Sequence, residues 1–287
     1  MREGQVLPRL HFHLANVFVR LRQFEAAANA YARVLRASPD DAAARFQHAW
    51  CLLEVPGRRA EGIAAFESLL EDRPSASGFY LLACGLQRES RHAEAVDAFR
   101  EALGREAGTS ALFYNYALSL EATARFEDAA QAYRDAALLE PSDAAAWAAA
   151  GSLLAGLCRW AEAVPCLERV ERLAPSTAHT LELIDALTEL ERLDEAKRFV
   201  DAALERTPHS VELRERLADV LSGLDRHDEA VALARSLCRS SSGSPSSLAV
   251  LACALTAAGD LDEALAVADV SVCACCVSSA RGGATCP

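Results

Sequence analysis

An all-α solenoid of stacked antiparallel helix pairs, about eight of them, is predicted by three features of the sequence. A small residue recurs at Ala27, Gly62, Ala95, Ala129, Ala163, Ala196, Ala230 and Ala264, in steps of 33 to 35 residues. About twelve residues upstream of these markers stands a pair such as Leu14-Ala15, Leu82-Ala83, Leu217-Ala218 or Leu251-Ala252, and proline closes most units. A period near 34 residues written in helical text marks helix-turn-helix units that stack on their neighbours.

The first helix of each unit is justified by that pair and by a large apolar residue three positions past it: Phe18, Leu52, Leu86, Leu120, Leu154, Leu187, Leu221 and Leu255. These offsets share one helical face, with the small member admitting a close neighbour and the large one filling the space beside it. Units two, four, five and six carry His48-Ala49, Tyr116-Ala117, Ala150-Gly151 and Leu183-Ile184 as variants. The turn that follows is charged, as in Gly259-Asp260-Leu261-Asp262-Glu263.

The second helix carries the marker and, four residues on, Tyr31, Phe66, Phe99, Tyr133, Leu167 or Val200, an i, i+4 stripe. In the last two units this position shrinks to Ala234 and Ala268, so the C-terminal end is expected to be looser. Gly62 is expected to weaken its helix by ~1 kcal/mol relative to alanine. An extra residue near Val55-Pro56-Gly57 is expected in a turn, and Pro165 close enough to a helix start for its missing N–H to be one of the unpaired ones. Pro39, Pro74, Pro141, Pro175 and Pro208 then stop the helices, and polar text such as Pro141-Ser142-Asp143 supplies the next N-cap.

This pattern resembles the tetratricopeptide repeat family from about Pro8 to Asp269. The resemblance implies a right-handed superhelix. The units would begin near residues 8, 42, 76, 110, 144, 177, 211 and 245, the last incomplete, after a lead-in of residues 1–7. A cysteine-rich tail, residues 270–287, departs from the pattern and is expected to be unpacked, as a frame-shifted or truncated end would be. Its Cys273, Cys275, Cys276 and Cys286 have no histidine beside them and fit zinc geometry poorly.

Composition narrows the function. A formal net charge of −12 without a basic run argues against nucleic acid. The most apolar stretch, Leu248 to Val270, is broken by Gly259, Asp260, Asp262 and Glu263, so no membrane span is expected. No signal peptide is read at the N-terminus, giving a cytoplasmic expectation, and arginine-rich text with Lys197 as the sole lysine points to a bacterial source. Cys51, Cys84, Cys158, Cys166 and Cys238 are scattered singly, and no phosphate loop, nucleophile elbow or metal motif appears, so neither enzyme chemistry nor a cofactor is expected.

In arrays of this family the first helices line a groove for extended peptides, and the repeat offsets assign its residues here. The N-terminal half carries Phe12, Asn16, Arg20, Phe46, Trp50, Tyr80, Arg88, Tyr114 and Leu118, with Arg9 at its edge. The C-terminal half carries Asp185, Glu189, Glu215 and Asp219, beside Ala148, Ser152, Leu181 and Glu212. A protein or peptide partner with apolar or acidic text at one end and basic text at the other is therefore expected. The family's lysine-and-asparagine clamp for a terminal carboxylate is largely missing: Asn16 matches, but Phe12 stands where lysine is expected. Two other readings are open, a substrate-recruiting arm of a truncated glycosyltransferase- or sulfotransferase-type enzyme, and self-association through the uncapped C-terminal end.

Overall fold

The computed structural model describes residues 3–240 and 244–268, with side chains from Pro8 onward, so the cysteine-rich tail lies outside the described residues. The described backbone is helical throughout, apart from short turns. In order the helices are α1 (Glu3–Arg20), α2 (Phe24–Ala37), α3 (Ala42–Glu54), α4 (Arg59–Asp72), α5 (Ala76–Arg88), α6 (His92–Leu103), α7 (Ser110–Ala122) and α8 (Phe126–Leu139). They continue as α9 (Ala144–Gly156), α10 (Trp160–Leu173), α11 (Thr177–Glu189), α12 (Leu193–Arg206), α13 (Val211–Gly223), α14 (His227–Ser240) and α15 (Pro245–Ala258). A further helical stretch is described over 261–268.

The chain divides into two compact units, Met1–Pro141 and Ser142–Pro287. Each is a stack of helical hairpins. Within a unit every odd helix packs on the even helix that follows, and every even helix on the next odd one. Odd helices also touch one another, α3 with α5 and α5 with α7 in the first unit, α9 with α11, α11 with α13 and α13 with α15 in the second. They form an inner layer.

The small residues are packing requirements. Ala15, Ala49, Ala83, Ala117 and Ala218 are buried on odd helices, and the markers from Ala27 to Ala264 on even ones. Interiors at crystal-like density leave no room for a larger side chain there. Gly62 shows the requirement set by backbone: a Cβ would stand 2.8 Å from the Leu53 nitrogen and 3.0 Å from the Ala49 oxygen. The expectation that glycine weakens α4 is therefore corrected, because the close approach of α3 demands it. Between these contacts Tyr31, Phe66, Phe99 and Tyr133 are wholly buried.

Turns and caps repeat with the same ruler. Five residues before each marker the backbone takes a left-handed conformation, at Arg22, Gly57, Ser90, Ala124, Cys158, Glu191, Asp225 and Gly259. Six of these eight carry a side chain at a φ of 56° to 60°, a region glycine tolerates better. The next residue is arginine in six repeats and bonds a carboxylate three positions on: Arg58 to Glu61, Arg91 to Glu94, Arg125 to Asp128, Arg159 to Glu162, Arg192 to Glu195 and Arg226 to Glu229. The bond from Arg58 holds the Glu61 carboxyl below the usual range. Odd helices are capped by side-chain oxygens of Asp41, Ser75, Thr109, Asp143, Ser176, Ser210 and Ser244, each accepting from a backbone N–H. Such a cap contributes typically ~1 kcal/mol.

Two helices differ from expectation. Pro165 is the sixth residue of α10, past the unpaired N–H groups of the first turn, and the helix nonetheless runs on from Trp160 to Leu173. Its ring lies on the exposed side of the helix. At the other end α1 begins at Glu3, inside the expected lead-in, and passes through Pro8 without interruption.

Candidate partner-binding face

The inner face of the first unit is built by residues four apart on odd helices: Phe12, Asn16 and Arg20 on α1, Phe46, Trp50 and Glu54 on α3, Tyr80, Cys84 and Arg88 on α5, Tyr114 and Leu118 on α7. The four aromatics two positions before the pair are half-buried. Each meets the aromatic of its own hairpin partner: Phe12 with Tyr31 at 5.5 Å between ring centroids, Phe46 with Phe66 at 5.3 Å, Tyr80 with Phe99 at 6.1 Å, Tyr114 with Tyr133 at 5.2 Å. Edge-on and tilted contacts suit the ring quadrupoles, so these side chains hold the hairpins closed and offer only their remaining edges. Trp50 packs on Phe24 of the preceding hairpin, centroids 5.6 Å apart, and is likewise half core.

Polar groups on this face are tied to neighbours as well. The Tyr31 hydroxyl donates to Asn16 Oδ1 at 2.5 Å, and burial pushes that phenol up to about 12. Asn115 Nδ2 donates to the Tyr80 hydroxyl at 3.2 Å. Arg88 Nη1 reaches Glu54 Oε1 at 2.7 Å, so this cation is paired across one repeat. Burial raises the Cys84 thiol beside Tyr80, which keeps it protonated and unreactive. Arg20 is exposed, and Leu118 is an apolar side chain 38% exposed in the middle of the row.

In the second unit the corresponding face holds Ala148 and Ser152 on α9, Leu181, Asp185 and Glu189 on α11, Glu212, Glu215 and Asp219 on α13. Sequence reasoning missed Arg216. Its Nε lies 2.6 Å from Asp185 Oδ1 and its Nη1 3.7 Å from Asp219 Oδ2, so one guanidinium is shared by two of the expected acids. Glu215 accepts from the Ser246 hydroxyl at 2.7 Å. Burial raises the Asp219 carboxyl, with Arg216 opposing and Asp185 and Glu215 reinforcing. Glu189 is exposed. The face is acidic, though less so than a list of its carboxylates suggests.

The signal for Arg216 lay in the repeat ruler, applied across units. The residue one past the pair in one repeat neighbours the residue one before the pair in the next: Ser152 bonds Glu182 at 2.5 Å, and Asp185 bonds Arg216. Cavities open beside this face in both units. One of about 570 Å³ is lined by Pro8, Arg9, Phe12 and Asp41, and one of about 640 Å³ by Leu181, Pro208, His209 and Glu212. Among the described residues no cluster of three His, Cys, Asp or Glu side chains could hold a metal, and no helix is long and apolar enough to cross a membrane.

The family model for the tetratricopeptide repeat matches residues 12–77 and 181–245, one stretch in each unit. Both stretches are tetratricopeptide repeats. Among solved structures the chain is similar to a MamA protein, with 18% identity and a TM-score of 0.53 over 60% of this chain and 94% of that one. It is also similar to YrrB, described as a TPR protein with an unusual peptide-binding site, with 22% identity and a TM-score of 0.54 over 65% and 96%. A structure of Naa15/Naa10 bound to HypK-THB aligns at 17% identity and a TM-score of 0.65, over 87% of this chain and 39% of that one. At such identities the likeness is one of fold. No curated protein matches the sequence.

Proposed function

We propose that this repeat protein is a scaffold without chemistry of its own that binds a protein or peptide on the inner faces of its odd helices. The observation that carries this reading is Leu118, an exposed apolar side chain in a row of half-buried aromatic edges. Aromatic residues and arginine are the side chains enriched among interface hot spots. YrrB's described peptide-binding site, on the same fold, supports the choice of a peptide.

The two units ask for different partner chemistry. The first, with Phe12 beside its cavity and Arg20 exposed, suits apolar side chains and a carboxylate. The second, with Glu189 exposed and Asp185, Asp219 and Glu215 sharing few cations, suits basic ones. Selection from a displayed peptide library followed by calorimetry tests this. Selected peptides should lose at least tenfold in affinity to Leu118→Glu, and their basic residues should lose affinity to Glu189→Lys. Unchanged affinity in both variants, with helicity intact, would move the interaction off this face.

A further inference from the structure

One helix of the first unit carries an apolar stripe that its own unit leaves open. On α1 and the turn residue that follows it, Leu10, Leu14, Val17 and Leu21 are 61%, 42%, 50% and 61% exposed, at spacings of four, three and four that place them along a single face. Two of these offsets, those of Leu10 and Val17, are interior in later repeats. Leu10 corresponds to Ala44, Leu112 and Leu213, and Val17 to Cys51, Ala186 and Val220, all buried. At the far end of the described chain Leu261 and Leu265 are 59% and 66% exposed. Leu265 stands one past its marker, where Ile63, Val96 and Val164 are buried.

The junction between the second and third repeats shows what these two faces do when they meet. A Cβ on Gly85, at the offset of Val17, would stand 3.5 Å from Ile63 Cγ1, at the offset of Leu265. Arg59, at the offset of Leu261, pairs with Glu89, at the offset of Leu21, with 3.3 Å between Nη1 and Oε1. The stripe on α1 is thus the half of a repeat junction that a preceding even helix covers. The stretch 261–268 carries the half that a following odd helix covers.

We infer that the occupant of the α1 stripe is the 261–268 helix of a second copy of this chain, joined head to tail in the register of an internal junction. Leu265 of one copy then lies beside Val17 of the next, and Leu261 beside Leu21. Charge favours the pairing. From Pro8 to Gln23 the chain has Arg9, Arg20 and Arg22 and no carboxylate, whereas from Gly259 to Ala268 it has Asp260, Asp262 and Glu263 and no arginine or lysine; Glu263 is paired with Arg235 of α14, which leaves Asp260 and Asp262. With a net charge of −12, copies repel except where such opposite ends meet. A head-to-tail contact leaves one open face at each end, so it propagates unless a ring closes.

Sedimentation of the full chain over about a hundredfold range of concentration tests this, since association follows mass action. The wild-type average mass should rise beyond a dimer. Val17→Glu, which blocks the head, and Leu265→Glu, which blocks the tail, should each remain monomeric with unchanged helicity. Their mixture retains one intact head and one intact tail and should yield a dimer and nothing larger. A wild-type chain that stays monomeric throughout overturns the inference. Association of either variant alone, through a head-to-head or tail-to-tail contact, or no dimer in the mixture, overturns it equally.

Discussion

The ring of Phe46 meets the ring of Phe66 edge-on, 5.3 Å between centroids, joining the inner face of α3 to the buried centre of its own hairpin. A residue assigned to partner contact by its offset is therefore also part of the core. Phe46→Ala should lower unfolding stability by roughly 2 kcal/mol, about half the cost of a fully buried phenylalanine. Leu118→Ala, on the same face with no such ring beneath it, should change stability by less than ~1 kcal/mol. Urea unfolding of both variants checks the contrast.

Glycine is placed by tertiary contact in one repeat and missing where the backbone would favour it in another. Gly62→Ala should destabilise by ~1–3 kcal/mol, because its Cβ meets the backbone of α3 and overpacking outweighs the gain in helix propensity. Ala124→Gly, at a φ of 58°, should stabilise by up to ~1 kcal/mol. Opposite shifts in urea midpoint at constant slope are the expected signature.

Tyr31 sets a limit at high pH. Its folded pKa, pushed up to about 12 by burial, lies above the ordinary value of 10.0. Its contribution to stability is fully present below pH 10 and is lost as pH rises toward 12, because the unfolded chain ionises first. Burial raises Tyr80 and Tyr133 as well, so absorbance titration should show several late-ionising phenols, one fewer in Tyr31→Phe. Loss of the bond to Asn16 should itself cost ~1 kcal/mol at neutral pH.

Asp219 behaves in the opposite sense. Burial raises its carboxyl, so the folded state holds the proton more tightly than the unfolded one. Its ionised form therefore detracts from stability above the folded pKa, and that loss is recovered as pH falls through this pKa toward the ordinary 3.8. Asp219→Asn should unfold later than wild type at neutral pH, with the gap closing in acid. Arg216→Gln should enlarge the wild-type pH dependence, since Arg216 is the cation that opposes the shift.

The shrinking side chain four past the marker predicts a gradient of local stability. Phe99 and Tyr133 are buried in the first unit, whereas in the second the position shrinks from Leu167 through Val200 to Ala234. Hydrogen exchange should be slowest in α5 to α8 and faster in α14 and α15, since linear arrays open locally. Equal protection in these helices would contradict the gradient.

The fold was legible because its information is periodic: Ala27, its successors and the pairs upstream report the same contact eight times over. The candidate face was half legible. Offsets placed Phe12, Trp50 and Asp185 on the inner layer, but not the rings of Tyr31 and Phe24 beneath or the guanidinium of Arg216 beside them. Those partners stand at offsets that matter only between helices. Gly62 was misread for a related reason, since propensity is a property of one helix and its constraint comes from another.

The bond between Asp185 and Arg216 spans adjacent repeats, as does the one between Ser152 and Glu182. Excising residues 177–210 as a block would bring Ser152 opposite Arg216, replacing two internally matched junctions by one with an unmatched guanidinium. Recognition chemistry here is thus inherited in overlapping pairs. An evolutionary or engineered exchange of repeats has to carry half of each neighbour with it, or alter the charge of a surface whose individual modules were left intact.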